Sequence, residues 1–108
     1  MTSPCEPHHV EVKDGGQTVA VAEVRPCERA GGTVRASLYP FSGHVRPGSR
    51  ARLVDSVLDL PGVRVGARLE ATVPLGDAEA LQRLRERARA TVTRPAGSTA
   101  LVDADIRG

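Results

Sequence analysis

The run "VRVGARLEATVPL", residues 63 to 75, constrains the fold more than any other stretch. Val63, Val65, Ala67, Leu69, Ala71, Val73 and Leu75 alternate with Arg64, Arg68, Glu70 and Thr72. A period of two places the apolar side chains on one face, which predicts a long, half-buried strand. Helical patterns flank it. Upstream, Leu53, Val54, Val57 and Leu58 share one helical face, with Ser49 as the expected N-cap and Pro61-Gly62 as the stop. Downstream, Gly76-Asp77 opens a second helix with a stripe of Leu81, Leu84 and Ala88, and with Glu79 and Arg83 at ion-pair spacing. A helix between two strands is a crossover, and crossovers join parallel neighbours.

The rest of the chain supplies antiparallel strands. Val10 to Lys13 and Thr18 to Arg25 alternate around "DGG", a hairpin signal. "TVRASLYPFSGHV", residues 33 to 45, is a third strand with Val34, Ala36 and Leu38 facing one way, and Pro40 forces a bulge or splay. After "TRPAGS" the run "TALVDADI" is the last strand. The predicted order is β-β-β-α-β-α-β, an α/β (α+β) mixed sheet with two helices packed against it. Residues 1–9, with two prolines in "SPCEP", are expected to be a flexible lead-in, and 10–108 a single domain.

Composition decides what the core is made of. With one Tyr, one Phe and no Trp in 108 residues, Val, Leu and Ala must fill it. Such a core gains less apolar area per residue, so burial in a dimer would help. The net charge is +2, and Lys13 is the only lysine among fifteen basic residues, a bias that a GC-rich coding sequence produces. The one dense basic cluster, Arg83, Arg85, Arg87 and Arg89, is interrupted by Glu86 and lacks aromatic platforms. It reads as a solvated helix face, so no nucleic-acid partner is expected. No apolar run reaches membrane-spanning length and the N-terminus lacks a secretory pattern, so a cytoplasmic location is expected, with no membrane partner. Cys5 and Cys27 are expected to be free thiols. Cys5, His8, His9 and Cys27 lack a paired Cys-x-x-Cys, so no metal site is expected.

Val45, Pro47 and Arg50, the apolar face from Leu53 to Leu58, the strand Leu69 to Leu75, and Asp77 with Ala80 at a second helix start resemble the core of GNAT-type acetyltransferases. The resemblance is firmest over residues 34 to 92. In that family a Val-x-Pro-x-x-Arg turn leads into a helix, and the turn's amides hold the coenzyme A pyrophosphate. The resemblance thus implies coenzyme A or acetyl-CoA as the ligand, with Arg46, Ser49, Arg50 and Arg52 around the phosphates. Three departures count against it. The family's turn glycines, which let backbone approach phosphate, are replaced by Ala51, Leu53 and Asp55. The tyrosine that protonates the leaving thiolate falls at Leu84 and Arg85, and Tyr39 is the only tyrosine. The family's first strand and two following helices have no expected counterpart. Their absence would leave apolar sheet surface exposed, for a homodimer or another protein partner to cover.

A general base must reach an amine and titrate near the working pH. His44 and Glu70 are the catalytic candidates, with Glu23 beside them, although each also fits an ordinary exposed position. Ser42 and His44 lack the elbow of a serine nucleophile. The reading that follows is a small, non-catalytic, acetyltransferase-like domain without a cofactor, acting as a dimeric binding or scaffold protein. The alternative is an acyl-CoA-dependent N-acetyltransferase or coenzyme A-binding protein whose site is completed across a dimer. A ligand-binding module of unrelated ancestry is the third. Free amides near Ser49 and a splay between strands 34–45 and 67–75 would mark the enzyme. Amides capped by Ser49 and a filled cleft would mark the scaffold.

Overall fold

The computed structural model describes residues 7–25, 32–40, 46–64 and 67–106. Its strands are β1 (His8–Asp14), β2 (Gln17–Arg25), β3 (Thr33–Leu38), β4 (Arg68–Pro74), β5 (Ala88–Ala96) and β6 (Thr99–Ile106). The helices are α1 (Ser49–Leu58), α2 (Pro61–Arg64) and α3 (Ala78–Arg87). One six-stranded sheet runs in the order β1-β2-β3-β4-β6-β5. Every neighbouring pair is antiparallel except β3 and β4, which the crossover through α1 makes parallel. The "DGG" signal is a hairpin: Gly15 and Gly16 take φ of +61° and +83° between β1 and β2, a conformation that side chains disfavour.

Four sequence expectations are corrected. β4 starts at Arg68, and Val63 lies in the short helix α2, where it is fully buried. Alternation therefore ran on past the strand, because one turn of helix after Pro61 can aim a valine at the same core. β3 ends at Leu38, while Phe41 to Val45, including His44, lie outside the described residues, as do Val65, Gly66, Cys5 and Cys27. β1 starts at His8, two residues before its expected beginning. Between α3 and the last strand, a whole strand, β5, stands where a helix end and a loop were expected.

The core is aliphatic, as the composition requires. Val34, Ala36 and Leu38 of β3, Leu69, Ala71 and Val73 of β4, and Ala20, Ala22 and Val24 of β2 share one buried cluster. Leu53, Val54, Val57 and Leu58 of α1, Val63 of α2, Ala80 and Leu84 of α3, with Val12, Val19 and Val102, complete it. Burying a Leu or Val side chain contributes about 1.5–3 kcal/mol.

The opposite face of the sheet is open to solvent, and it is polar. Arg35, Arg68, Glu70 and Leu101 are exposed there, with Ser37, Thr72, Asp103 and Asp105 part-exposed. Ion pairs cross it from Arg35 to Glu70 (3.1 Å), Arg68 to Asp105 (3.3 Å) and Arg94 to Asp103 (3.4 Å). The expectation of a bare apolar sheet face is therefore overturned. The alternation of β3, β4 and β6 carries charge outward, so this face is compatible with water as it stands.

Candidate functional site

The start of α1 follows the Pro47-Gly48 turn. Gly48 is its N-cap at φ +95°, and no side chain of the cap itself bonds the helix. Ser49, expected as the cap, is instead the first helical residue and is buried. The orphan amides of a helix start need acceptors, and here the acceptor comes from another helix. Glu79, in the first turn of α3, accepts from the Gly48 N–H through Oε1 and from the Ala51 N–H through Oε2, each at 2.8 Å. One carboxylate thus spans the turn at which an external anion would sit.

Arg50 is absorbed in the same locus. Its Nε donates to Asp77 Oδ2 at 2.7 Å, with Nη2 also 2.7 Å from that oxygen, and its Nη1 donates to the Tyr39 carbonyl at 3.0 Å. Asp77 is the N-cap of α3, and its Oδ1 accepts from the Ala80 N–H. The side chains of Arg50 and Asp77 are only 12% and 9% exposed. The starts of α1 and α3 therefore converge on two carboxylates and one guanidinium. Each helix start carries roughly half a positive charge, so the locus is close to neutral. It offers little positive field to an added anion.

Glu79's carboxyl is held below its ordinary range. Burial, the largest single influence, pushes it upward, but the amides of Gly48, Ala51 and Arg50, with the Arg50 charge, outweigh it. Farther along the two helices, Asp55 receives Arg83 Nε at 2.9 Å and Nη2 at 2.8 Å, and Arg87 Nη1 at 2.8 Å. Hydrogen bonding from Arg83 is the chief reason its carboxyl lies low. The expected Glu79–Arg83 pair is thereby replaced: Glu79 turns to α1's amides and Arg83 to Asp55.

The remaining candidates are dispersed. Arg46 is exposed and pairs with Asp14 at 3.1 Å. Arg52 is exposed on α1 and makes no side-chain hydrogen bond among the described residues. Glu70 pairs with Arg35 on the open face. Glu23 accepts from the Tyr39 hydroxyl at 3.1 Å, which raises the phenol's pKa. Among the described residues no group of His, Cys, Asp and Glu is placed to hold a metal ion, and no helix is long and apolar enough to cross a membrane.

The β3–β4 pairing stops at Ser37 and Thr72. At this end lies a cleft of about 370 Å³, lined by Ser37, Leu38, Tyr39, Pro40, Thr72, Pro74, Ser98 and Thr99. The two expected marks of an enzyme thus part company: a cleft is present, but the amides of Gly48 and Ala51 are taken. Neither was the expected cap correct, since Glu79 rather than Ser49 takes them. Glu79 is 28 and 31 residues from its donors, and nothing in local spacing announces such a contact.

No protein-family model matches the chain, and no curated protein matches it. Solved structures do. The chain is similar to the GNAT domain of S. lividans PAT, with a TM-score of 0.64, 10% identity, and coverage of 98% of this chain and 64% of that one. It is similar to a GNAT-family acetyltransferase from Streptococcus pneumoniae (TM-score 0.65, 11% identity, 99% and 70% covered). A ribosomal-protein-alanine N-acetyltransferase from Brucella melitensis also matches (TM-score 0.58, 18% identity, 90% and 67% covered). At these identities the likeness defines the fold: a mixed six-stranded sheet with helices, α+β, of GNAT type. The chain spans about two thirds of the length of these structures, and 64% of the S. lividans domain.

Proposed function

We propose that this GNAT-fold domain works without coenzyme A, as a non-catalytic binding or scaffold protein. The observation that supports the reading is the Glu79 carboxylate on the Gly48 and Ala51 amides. A pyrophosphate arriving at this turn would have to displace a charge-assisted acceptor that is already attached to the protein. Arg50, the best-placed cation, is engaged by Asp77. Under this reading the working partner is a protein, with a second copy of the chain first among candidates. The outer strands β1 and β5 supply sheet edges at which it can pair.

The cleft at the end of β3 and β4 favours a second reading, in which coenzyme A or acetyl-CoA binds after Glu79 swings away, for acyl transfer or simple binding. Calorimetry with coenzyme A and acetyl-CoA separates the two, with an Arg50→Ala, Arg52→Ala double variant as control. The proposed function expects no heat of binding at millimolar ligand. Micromolar binding by the wild-type protein that the double variant loses would overturn it in favour of the second reading. Sedimentation of the same samples reports whether the partner is a second copy.

A further inference from the structure

α3 is joined to the rest of the molecule by little apolar burial and much charge. It buries only Ala80 and Leu84, with Leu81 half-buried, whereas α1 buries Leu53, Val54, Val57 and Leu58. The polar contacts between the two helices are dense. Glu79 holds the amides of Gly48 and Ala51, Asp77 holds Arg50, and Asp55 holds both Arg83 and Arg87. Arg87 Nη2 also donates to Asp59 at 2.8 Å. At its other end α3 runs into β5 with no intervening loop, and β5 is an outer strand, mostly exposed.

Elements with few buried apolar contacts open locally at lower free energy than the core. We propose that α3 is an electrostatically latched helix, which undocks from α1 as a unit while the central strands stay folded. The undocked state presents the Gly48 and Ala51 amides and the Arg50 guanidinium to the outside together. The latch thus makes access to the start of α1 conditional. This inference rests on the reading that Glu79 closes that start. Its test is independent of coenzyme A: binding of coenzyme A by the wild-type protein would overturn the proposed function and leave the latch intact.

The test is amide hydrogen exchange by mass spectrometry on the full chain, comparing wild type with Asp55→Asn, Glu79→Gln and the double variant. The double variant is expected to exchange residues 78–87 faster by about ten-fold or more. Residues 48–52 should follow, while 69–73 and 100–104 keep wild-type protection. Each single variant keeps the other's clasp and should give a smaller rise in the same segments, which keeps the test usable if the double variant does not fold. An equal rise in 69–73 and 100–104 would show that α3 opens only with the whole domain, and would overturn the proposal. Unchanged exchange in 78–87 would overturn it equally.

Discussion

Replacing Glu79 with Gln should destabilise the domain by about 2 kcal/mol at pH 7, from the loss of charge-assisted bonds and of a helix cap. The carboxylate makes two bonds of 2.8 Å to Gly48 and Ala51 and faces Arg50. A Gln keeps one carbonyl oxygen for one of those amides and turns an NH2 group toward the other, which leaves that amide without an acceptor. For a domain of this size about 2 kcal/mol is a fall in Tm of roughly 8 °C. Urea denaturation followed by circular dichroism measures it directly. The pH dependence gives the sharper check. Glu79's carboxyl is lower in the folded state than in the unfolded chain. Its contribution is therefore complete above the unfolded value, about 4.3, and is lost as pH falls through the depressed folded value. The stability gap between wild type and Glu79→Gln must be constant near neutrality and close in acid. Asp55 titrates in both proteins and cancels in the difference. A cost below about 0.5 kcal/mol, or a gap that persists in strong acid, would refute the argument.

Other substitutions probe the same locus and its surroundings. Arg50→Met should cost about 3 kcal/mol, because it leaves the largely buried Asp77 carboxylate without its partner; Arg50→Lys should recover only part in the same urea titration, since one ammonium cannot reproduce a fork that also bonds Tyr39. Gly48→Ala should cost about 1 kcal/mol for backbone strain at φ +95°. No atom within 4 Å would meet the new Cβ, so Gly48→Ser should cost about the same by thermal melting. On the open face, Arg35→Ala should change stability by less than about 0.5 kcal/mol, the usual worth of an exposed pair. A larger loss in the melt would mean that this face is covered.

Most of the architecture could be read from local pattern. β3 and β6 alternate cleanly because one face of each meets the aliphatic core and the other meets water. α1 is legible from Leu53, Val54, Val57 and Leu58, and the parallel β3–β4 pair follows from the crossover. β5 was not legible. "ARATVTRPA" carries one large apolar residue, Val92, which is exposed, together with Pro95 and a positive φ at Ala90. An outer strand with little to bury leaves no period to detect. The polar face of the sheet is legible in Arg35, Arg68, Glu70 and Asp103, which alternate with the core residues; the resemblance, in which helices wall that face, pointed instead to a bare apolar surface. In the site, Arg46, Ser49, Arg50 and Arg52 are legible only as neighbours of a turn, whereas the contacts of that turn depend on α3. Arg50 finds Asp77 and the amides find Glu79 only once the chain has folded back on itself.

The central claim is that Glu79 occupies the amides at the start of α1. Amide nitrogen–proton correlation spectra, recorded from pH 7 downward in wild type and Glu79→Gln, test it most directly. In the wild type the Gly48 and Ala51 signals should lie downfield and titrate together, with a midpoint below that of an ordinary glutamate, and Glu79→Gln should abolish the transition. If those two signals ignore pH in the wild type, or titrate unchanged in the variant, the carboxylate is not there and the turn is open.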